Sequence, residues 1–183
     1  NLTGNQITYF KYGTAFSNRL YQLALIKRSN IILSCDFMTN AEILECLHAL
    51  APWVIGVKLH LDILDSSAYA QFITEINELK KTHNFLIIED AKFADIDSIM
   101  IEKVNHSQLA ITKVADAFTM HPIAGLSILE GAKVSIPGIL IAEMSSSNNM
   151  ITADYSRHVV DSVRQAPSSG GMLGTGGMLG GIV

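Results

Sequence analysis

The chain has 183 residues, 49% of them hydrophobic and 16% charged, which predicts one packed globular domain and excludes a largely disordered chain. A formal net charge of -4 and a pI of about 5.8, with no basic stripe, give no footing for nucleic-acid binding. Two cysteines, Cys35 and Cys46, rule out a disulfide framework and fit a reducing compartment.

The chain opens on Asn1-Leu2-Thr3-Gly4, without an initiator Met or an apolar signal core, and reads as a fragment or a domain excised from something longer. Residues 1–15 are expected to be a linker or extension. Phe16 to Lys27 reads as an N-terminal helix. Ile31-Ile32-Leu33-Ser34-Cys35-Asp36 then reads as a buried strand ending in a carboxylate. Asn40 can cap a helix over Ala41 to Leu50. Val54 to Lys58 is the next strand. Ser67 to Lys81 is helical, with Phe72, Ile76 and Leu79 spaced to line one apolar face. Phe85 to Asp90 is a third strand and Asp95 to Ala110 a third helix. Ala117 to His121 is a fourth strand, Ala124 to Lys133 a fourth helix, Ile139 to Met144 a fifth strand and Thr152 to Arg164 a fifth helix. No apolar run reaches transmembrane length, so no membrane span is expected and a soluble, cytoplasmic domain is.

Such alternation implies parallel strands joined by helical crossovers. Polar residues gather at the strand ends, at Asp36, Lys58, Asp90 and His121, the edge where α/β folds build chemistry. His121 reads as a packing residue. Residues 166–183 change character: Gly-Gly-Met-Leu-Gly occurs twice, in a low-complexity, Gly-rich tail expected to be flexible. No Lys follows these glycines and no strand-loop-helix frame surrounds them, so a phosphate-cradling loop is not expected there.

The densest constellation is Glu89-Asp90-Ala91-Lys92-Phe93-Ala94-Asp95-Ile96. Asp90 and Lys92, two apart at a strand end, can point the same way. Asp95 lies on the following turn, and Lys58 can complete an alternating array of two acids and two bases. Such an array holds a lysine protonated and in place as a proton donor. On spacing alone it reads equally well as a salt-bridged rim.

Asp90-Ala91-Lys92-Phe93-Ala94-Asp95-Ile96 resembles the Asp-x-Lys-x-x-Asp signature of orotidine 5′-monophosphate decarboxylases. Lys58-Leu59-His60-Leu61-Asp62-Ile63-Leu64 is similar to that family's Lys-Thr-His-x-Asp-Ile-Leu segment. Leu33-Ser34-Cys35-Asp36 resembles its first strand, and Ile141-Ala142-Glu143-Met144-Ser145-Ser146 with Thr152-Ala153-Asp154-Tyr155 its fifth-strand segment. The resemblance runs over roughly residues 10 to 164. It looks closest to the decarboxylase half of eukaryotic bifunctional uridine monophosphate synthases.

The resemblance implies an α/β fold of the (β/α)8 TIM-barrel type, here incomplete, with residues 16–165 supplying about five strand–helix units of the roughly eight in a full barrel. It implies cofactor-independent decarboxylation of orotidine 5′-monophosphate to uridine 5′-monophosphate, with neither metal nor organic cofactor. Lys92 would protonate the carbanion left at the pyrimidine C6, Asp90 would face the departing carboxylate, and Lys58 would hold Asp90 and the ribose side. Asp95 would reach into the neighbouring subunit's site, which makes the expected partner a second copy in a homodimer. Asp36 would bind ribose hydroxyls, Ser145 would contact the base, and His60 and Asp62 would support. An orotate phosphoribosyltransferase domain upstream is a further expectation of the resemblance.

The match departs from the family in two places. Where the family continues Gly-Asn-Thr, this chain has Asp97-Ser98-Ile99, and Ile99 cannot donate the hydrogen bond that the family's Thr contributes. The family's phosphate grip, a closing loop with Gln and Tyr and a late Arg, has no counterpart among residues 166–183. Two alternatives stay open: a magnesium-dependent sugar-phosphate decarboxylase or synthase of the same superfamily, and a non-catalytic remnant acting as an interaction fragment. The Lys-x-His-x-Asp and Ala-Glu-Met-Ser-Ser segments favour the first reading over the magnesium-dependent one.

Overall fold

Each apolar run singled out in the sequence forms the core of a parallel strand. The computed structural model describes residues 15–64, 66–109, 111–129 and 133–165, so the expected N-terminal extension, but for Ala15, and the Gly-rich tail lie outside the described residues. In chain order the elements are α1 (Ala15–Lys27), β1 (Ile32–Ser34), α2 (Asn40–Leu50), β2 (Gly56–Leu59), α3 (Tyr69–His83), β3 (Leu86–Phe93), α4 (Asp97–Ile101), β4 (Ala117–Met120), β5 (Gly138–Leu140) and α5 (Ala153–Gln165).

The five strands form one parallel sheet in the order β1-β2-β3-β4-β5. A doubly wound sheet would reverse its strand order part-way. An order that never reverses is the winding of a barrel, so these strands form part of a TIM-type wall. Among the described residues β1 and β5 are each paired on one side only.

The period-2 alternation of strand side chains separates two apolar layers. Val57, Leu59, Ile87, Phe118 and Leu140 pack outward against Ile43 and Leu47 of α2, Phe72, Ile76 and Leu79 of α3, Met100 of α4 and Val159 and Val163 of α5. On the opposite face Ile88, Ala117 and Ile139 meet Ile32 and Phe16. There α1 also sets Leu20 and Leu23 against Ile55 and Leu86. The barrel-facing side is thus floored by apolar residues near the strand N-termini, with α1 beneath them. Its other end is left to charged groups.

Several expected boundaries move. Thr39, not Asn40, caps α2: its Oγ1 accepts the Glu42 N–H at 3.3 Å and donates to Glu42 Oε2 at 2.6 Å. This reciprocal pair satisfies a helix-start donor. Thr39→Ala is expected to cost about 1 kcal/mol and to lower the melting temperature by roughly 2–4 °C, read by a thermal melt followed by circular dichroism.

The expected helix Asp95–Ala110 starts at Asp97 and loosens after Ile101 into a wider π-type turn over Glu102–His106. The expected helix Ala124–Lys133 is not formed among the described residues, which show only 3-10 turns at Pro122–Ala124 and Ser127–Leu129. Gly125 takes φ 108 between those turns, a conformation that ends a right-handed helix. Leu129 then packs where β5 begins: a Cβ on Gly138 would stand 2.8 Å from Leu129 Cδ2.

Candidate active site

The strand ends bring four charged side chains together. Asp36 follows β1, Lys58 lies in β2, and Asp90 and Lys92 lie in β3. Lys58 Nζ stands 3.0 Å from Asp36 Oδ1 and 2.9 Å from Asp90 Oδ2. Lys92 Nζ stands 2.7 Å from that same Asp90 oxygen. The signs alternate along Asp36, Lys58, Asp90 and Lys92, so each charge borders an opposite one.

Asp90 is 1% exposed and Lys58 7%. Burial opposes charge on both, and the array outweighs it. Hydrogen bonds from Lys92, Lys58 and Thr119 hold the Asp90 carboxyl below its ordinary range. Hydrogen bonds to Asp90 and Asp36 hold the Lys58 ammonium above its own. Both groups are therefore charged at neutral pH, in a site where water screens them weakly.

The backbone at Lys92 is bent to allow this. Lys92 takes φ 50, a left-handed conformation that costs an L-residue about 1–2 kcal/mol. The β3–β4 register slips between Glu89 and Phe93. Strain of this kind persists where the surroundings over-determine it. Here Thr119 Oγ1 accepts the Lys92 N–H at 3.1 Å while donating to Asp90 Oδ1 at 2.8 Å. Thr119 is fully buried and was not among the expected site residues. The signal was its place as the one polar residue in the apolar run Ala117–Met120, two positions from inward-facing Ala117.

Of the other expected residues, His60 sits beside the array. Its Nε2 lies 3.3 Å from Lys58 Nζ, 3.5 Å from Asp90 Oδ2 and 3.7 Å from Asp36 Oδ1. Asp62 and Ser145 are exposed, on the turn after β2 and on the segment after β5, and neither joins the array. Asp95 stands outside it as well, paired with Lys103 Nζ at 2.8 Å, so within this chain Asp36 takes the fourth place. Asp97 accepts from the Ser127 hydroxyl and from Lys133 Nζ at 3.2 Å, which neutralises the extra charge at that position. Ile99 is 43% exposed. His121 is half-buried, and burial, then the nearby Lys92 charge, lowers its pKa. Among the described residues no group of three or more His, Cys, Asp or Glu is placed to hold a metal ion.

Residues 29–177 match the orotidine 5′-phosphate decarboxylase / HUMPS family. The chain belongs to this family. Its relatives include orotidine 5′-phosphate decarboxylases of Candida parapsilosis, 32% identical over 153 residues (79% of this chain, 57% of the relative), and of Penicillium nalgiovense, 31% identical over 179 residues (90% and 64%). The chain therefore spans less than two thirds of the length of these decarboxylases. A solved orotidine 5′-monophosphate decarboxylase from Methanocaldococcus jannaschii superposes with a TM-score of 0.53 at 21% identity, over 68% of this chain and 61% of that one. The orotidine 5′-phosphate decarboxylase of Pyrococcus horikoshii gives a TM-score of 0.54 at 17% identity, over 73% and 62%. Those two likenesses concern the fold.

Proposed function

We propose that this chain carries the catalytic array of an orotidine 5′-monophosphate decarboxylase, converting that nucleotide to uridine 5′-monophosphate in pyrimidine biosynthesis. The observation that carries the reading is the buried Asp90 carboxylate, gripped through one oxygen by the ammonium groups of both Lys58 and Lys92.

In the proposed reaction the bond from pyrimidine C6 to the carboxylate breaks and carbon dioxide leaves. The electron pair stays on C6 and takes a proton from the Lys92 ammonium. Asp90 faces the departing carboxylate and disfavours its charge, while Lys92 stabilises the charge that develops on C6. Lys58 keeps Asp90 ionised and in place, Asp36 accepts from the ribose hydroxyls, and Ser145 contacts the base. His60 and Asp62 support from the turn between them. The same reading has Asp95 serving a second copy in a cytoplasmic homodimer, which agrees with its standing apart from its own chain's array. A fused orotate phosphoribosyltransferase domain upstream belongs to the reading through the family alone.

Purified chain incubated with orotidine 5′-monophosphate is expected to show loss of the orotate absorbance without added metal. A folded protein that gives no turnover overturns the proposal. Turnover only of a sugar phosphate, and only with magnesium, would replace it with the sister chemistry of the same family.

A further inference from the structure

Next to Asp90 lies a second acid that the proposed reaction does not use. Glu89 points away from the array. Its register partners are Leu59 in β2 and Phe118 in β4, both in the helix-packed apolar layer. Its exposure is 0%. A carboxyl in such a place costs stability unless something uses it.

What uses it is a backbone amide. The Leu61 N–H donates to Glu89 Oε2 at 3.0 Å and to Oε1 at 3.3 Å. Leu61 opens the 3-10 turn Leu61–Ile63, and His60, at its cap, makes no side-chain cap bond. The first amides of a helical turn need acceptors from elsewhere, and Glu89 supplies one from the neighbouring strand. Leu61 is itself fully buried. The turn is thus fixed at one residue, by its side chain and by its amide, with His60 on one side and Asp62 on the other.

We propose that Glu89 is a positioning residue, whose buried carboxyl grips the Leu61 amide and so sets the turn that carries His60 and Asp62 beside the Asp36–Lys58–Asp90–Lys92 array. The positional claim stands on these contacts alone. Its effect on turnover rests on the decarboxylase reading above.

The groups around Glu89 make its ionisation visible. Burial foremost pushes its pKa up to about 8; the Leu61 amide opposes, the Asp62 and Asp90 charges add to the rise, and the Lys58 charge opposes it. Tyr69 of α3 faces it too and is pushed up by burial and by Glu89. Glu89 is therefore protonated at neutral pH and gains its charge as the pH passes about 8. That charge appears one residue from Asp90 and behind the turn that bears His60.

The test uses the full chain with 13C-labelled histidine, the His60 signal being assigned with His60→Gln. In the parent, the His60 resonance is expected to show an inflection near pH 8. Glu89→Gln keeps an acceptor for the Leu61 amide and does not titrate. It should retain the parent His60 shift at pH 7 and lose the inflection. Glu89→Leu fills the space without an acceptor, and should displace the His60 shift at pH 7 while the protein still melts cooperatively. On the decarboxylase reading, Glu89→Leu should also lower kcat about tenfold or more, and Glu89→Gln should stay within about threefold of the parent. Identical His60 spectra in all three proteins, with no inflection near pH 8, overturn the proposal. The resonance arm needs no turnover, so a parent without activity would count against the decarboxylase reading and leave this inference to be decided by the spectra.

Discussion

Lys92→Ala is expected to reduce decarboxylation of orotidine 5′-monophosphate by at least about a thousandfold in kcat/KM. A positioned proton donor alone contributes about 10²–10⁴, and in the proposed reaction the same ammonium would also stabilise charge developing on C6, the kind of electrostatic contribution that is often the largest one in an enzyme. The loss should fall mainly on kcat, because on the proposed reading the interaction would be made with the transition state. Uridine 5′-monophosphate binding, measured by calorimetry, should change far less. The fold should survive: Asp90 keeps Lys58 at 2.9 Å and the Thr119 hydroxyl at 2.8 Å. Alanine inherits φ 50 without the ion pair that holds it. Lys92→Gly, which adopts that backbone without strain, separates loss of the ammonium from loss of the bend. Turnover unchanged in both variants would refute the role given to Lys92.

Asp90→Ala should unsettle the structure itself. It removes the carboxylate that Lys58 and Lys92 share and leaves Lys58, 7% exposed, with Asp36 and His60 beside it among the described residues. Removing one partner of a buried pair typically costs about 3–5 kcal/mol, because the other charge stays buried. The melting temperature should fall on the order of 10 °C. The pH dependence has a definite sign. The Asp90 pKa is lowered from 3.8, so its stabilisation is present above the unfolded value and is lost as pH falls through the lower folded one. The Lys58 pKa is raised from 10.5, so its stabilisation is present below that value and is lost as pH climbs through the higher folded one. The gap between parent and variant should be widest from about pH 5 to 9 and should close in acid. Urea denaturation at pH 3 and pH 7 measures it. A gap that widens in acid would show that Asp90 is not held ionised by the array.

Much of this site is legible in the sequence. Asp36, Lys58 and Asp90 sit at the ends of apolar runs, and parallel strands carry such residues to one edge whatever the loops do. The spacing of Phe72, Ile76 and Leu79 gave the buried face of α3 correctly, because helical periodicity is a local property. What was not legible depends on contacts between distant segments. Thr119 looks like an ordinary strand threonine until β4 is laid beside β3 with the shifted register that brings it under Asp90. Strand alternation turns Glu89 away from Asp90, but nothing in the sequence shows that it lands on the Leu61 amide. The left-handed turn at Lys92 follows from that same register slip, and local propensity offers no hint of it in a lysine. Asp95 shared the motif with Asp90 and Lys92, but the chain turns after Phe93 and gives it to Lys103. The sequence predicts a helix from Ala124 to Lys133, whereas Gly125, at φ 108, breaks the right-handed path there.

The alternation of charge among Asp36, Lys58, Asp90 and Lys92 bears on how a substrate arrives. These groups cancel one another at distances beyond a few ångströms, and the whole chain carries a formal net charge of -4. A phosphorylated nucleotide approaching from solution would feel little long-range pull from this cluster, since steering requires a surplus of one sign over the mouth. The chain's net negative charge would oppose an anionic nucleotide, so capture should be slow at low ionic strength and quicken as added salt screens the repulsion. An association rate that falls with added salt would instead point to cations lying elsewhere on the surface.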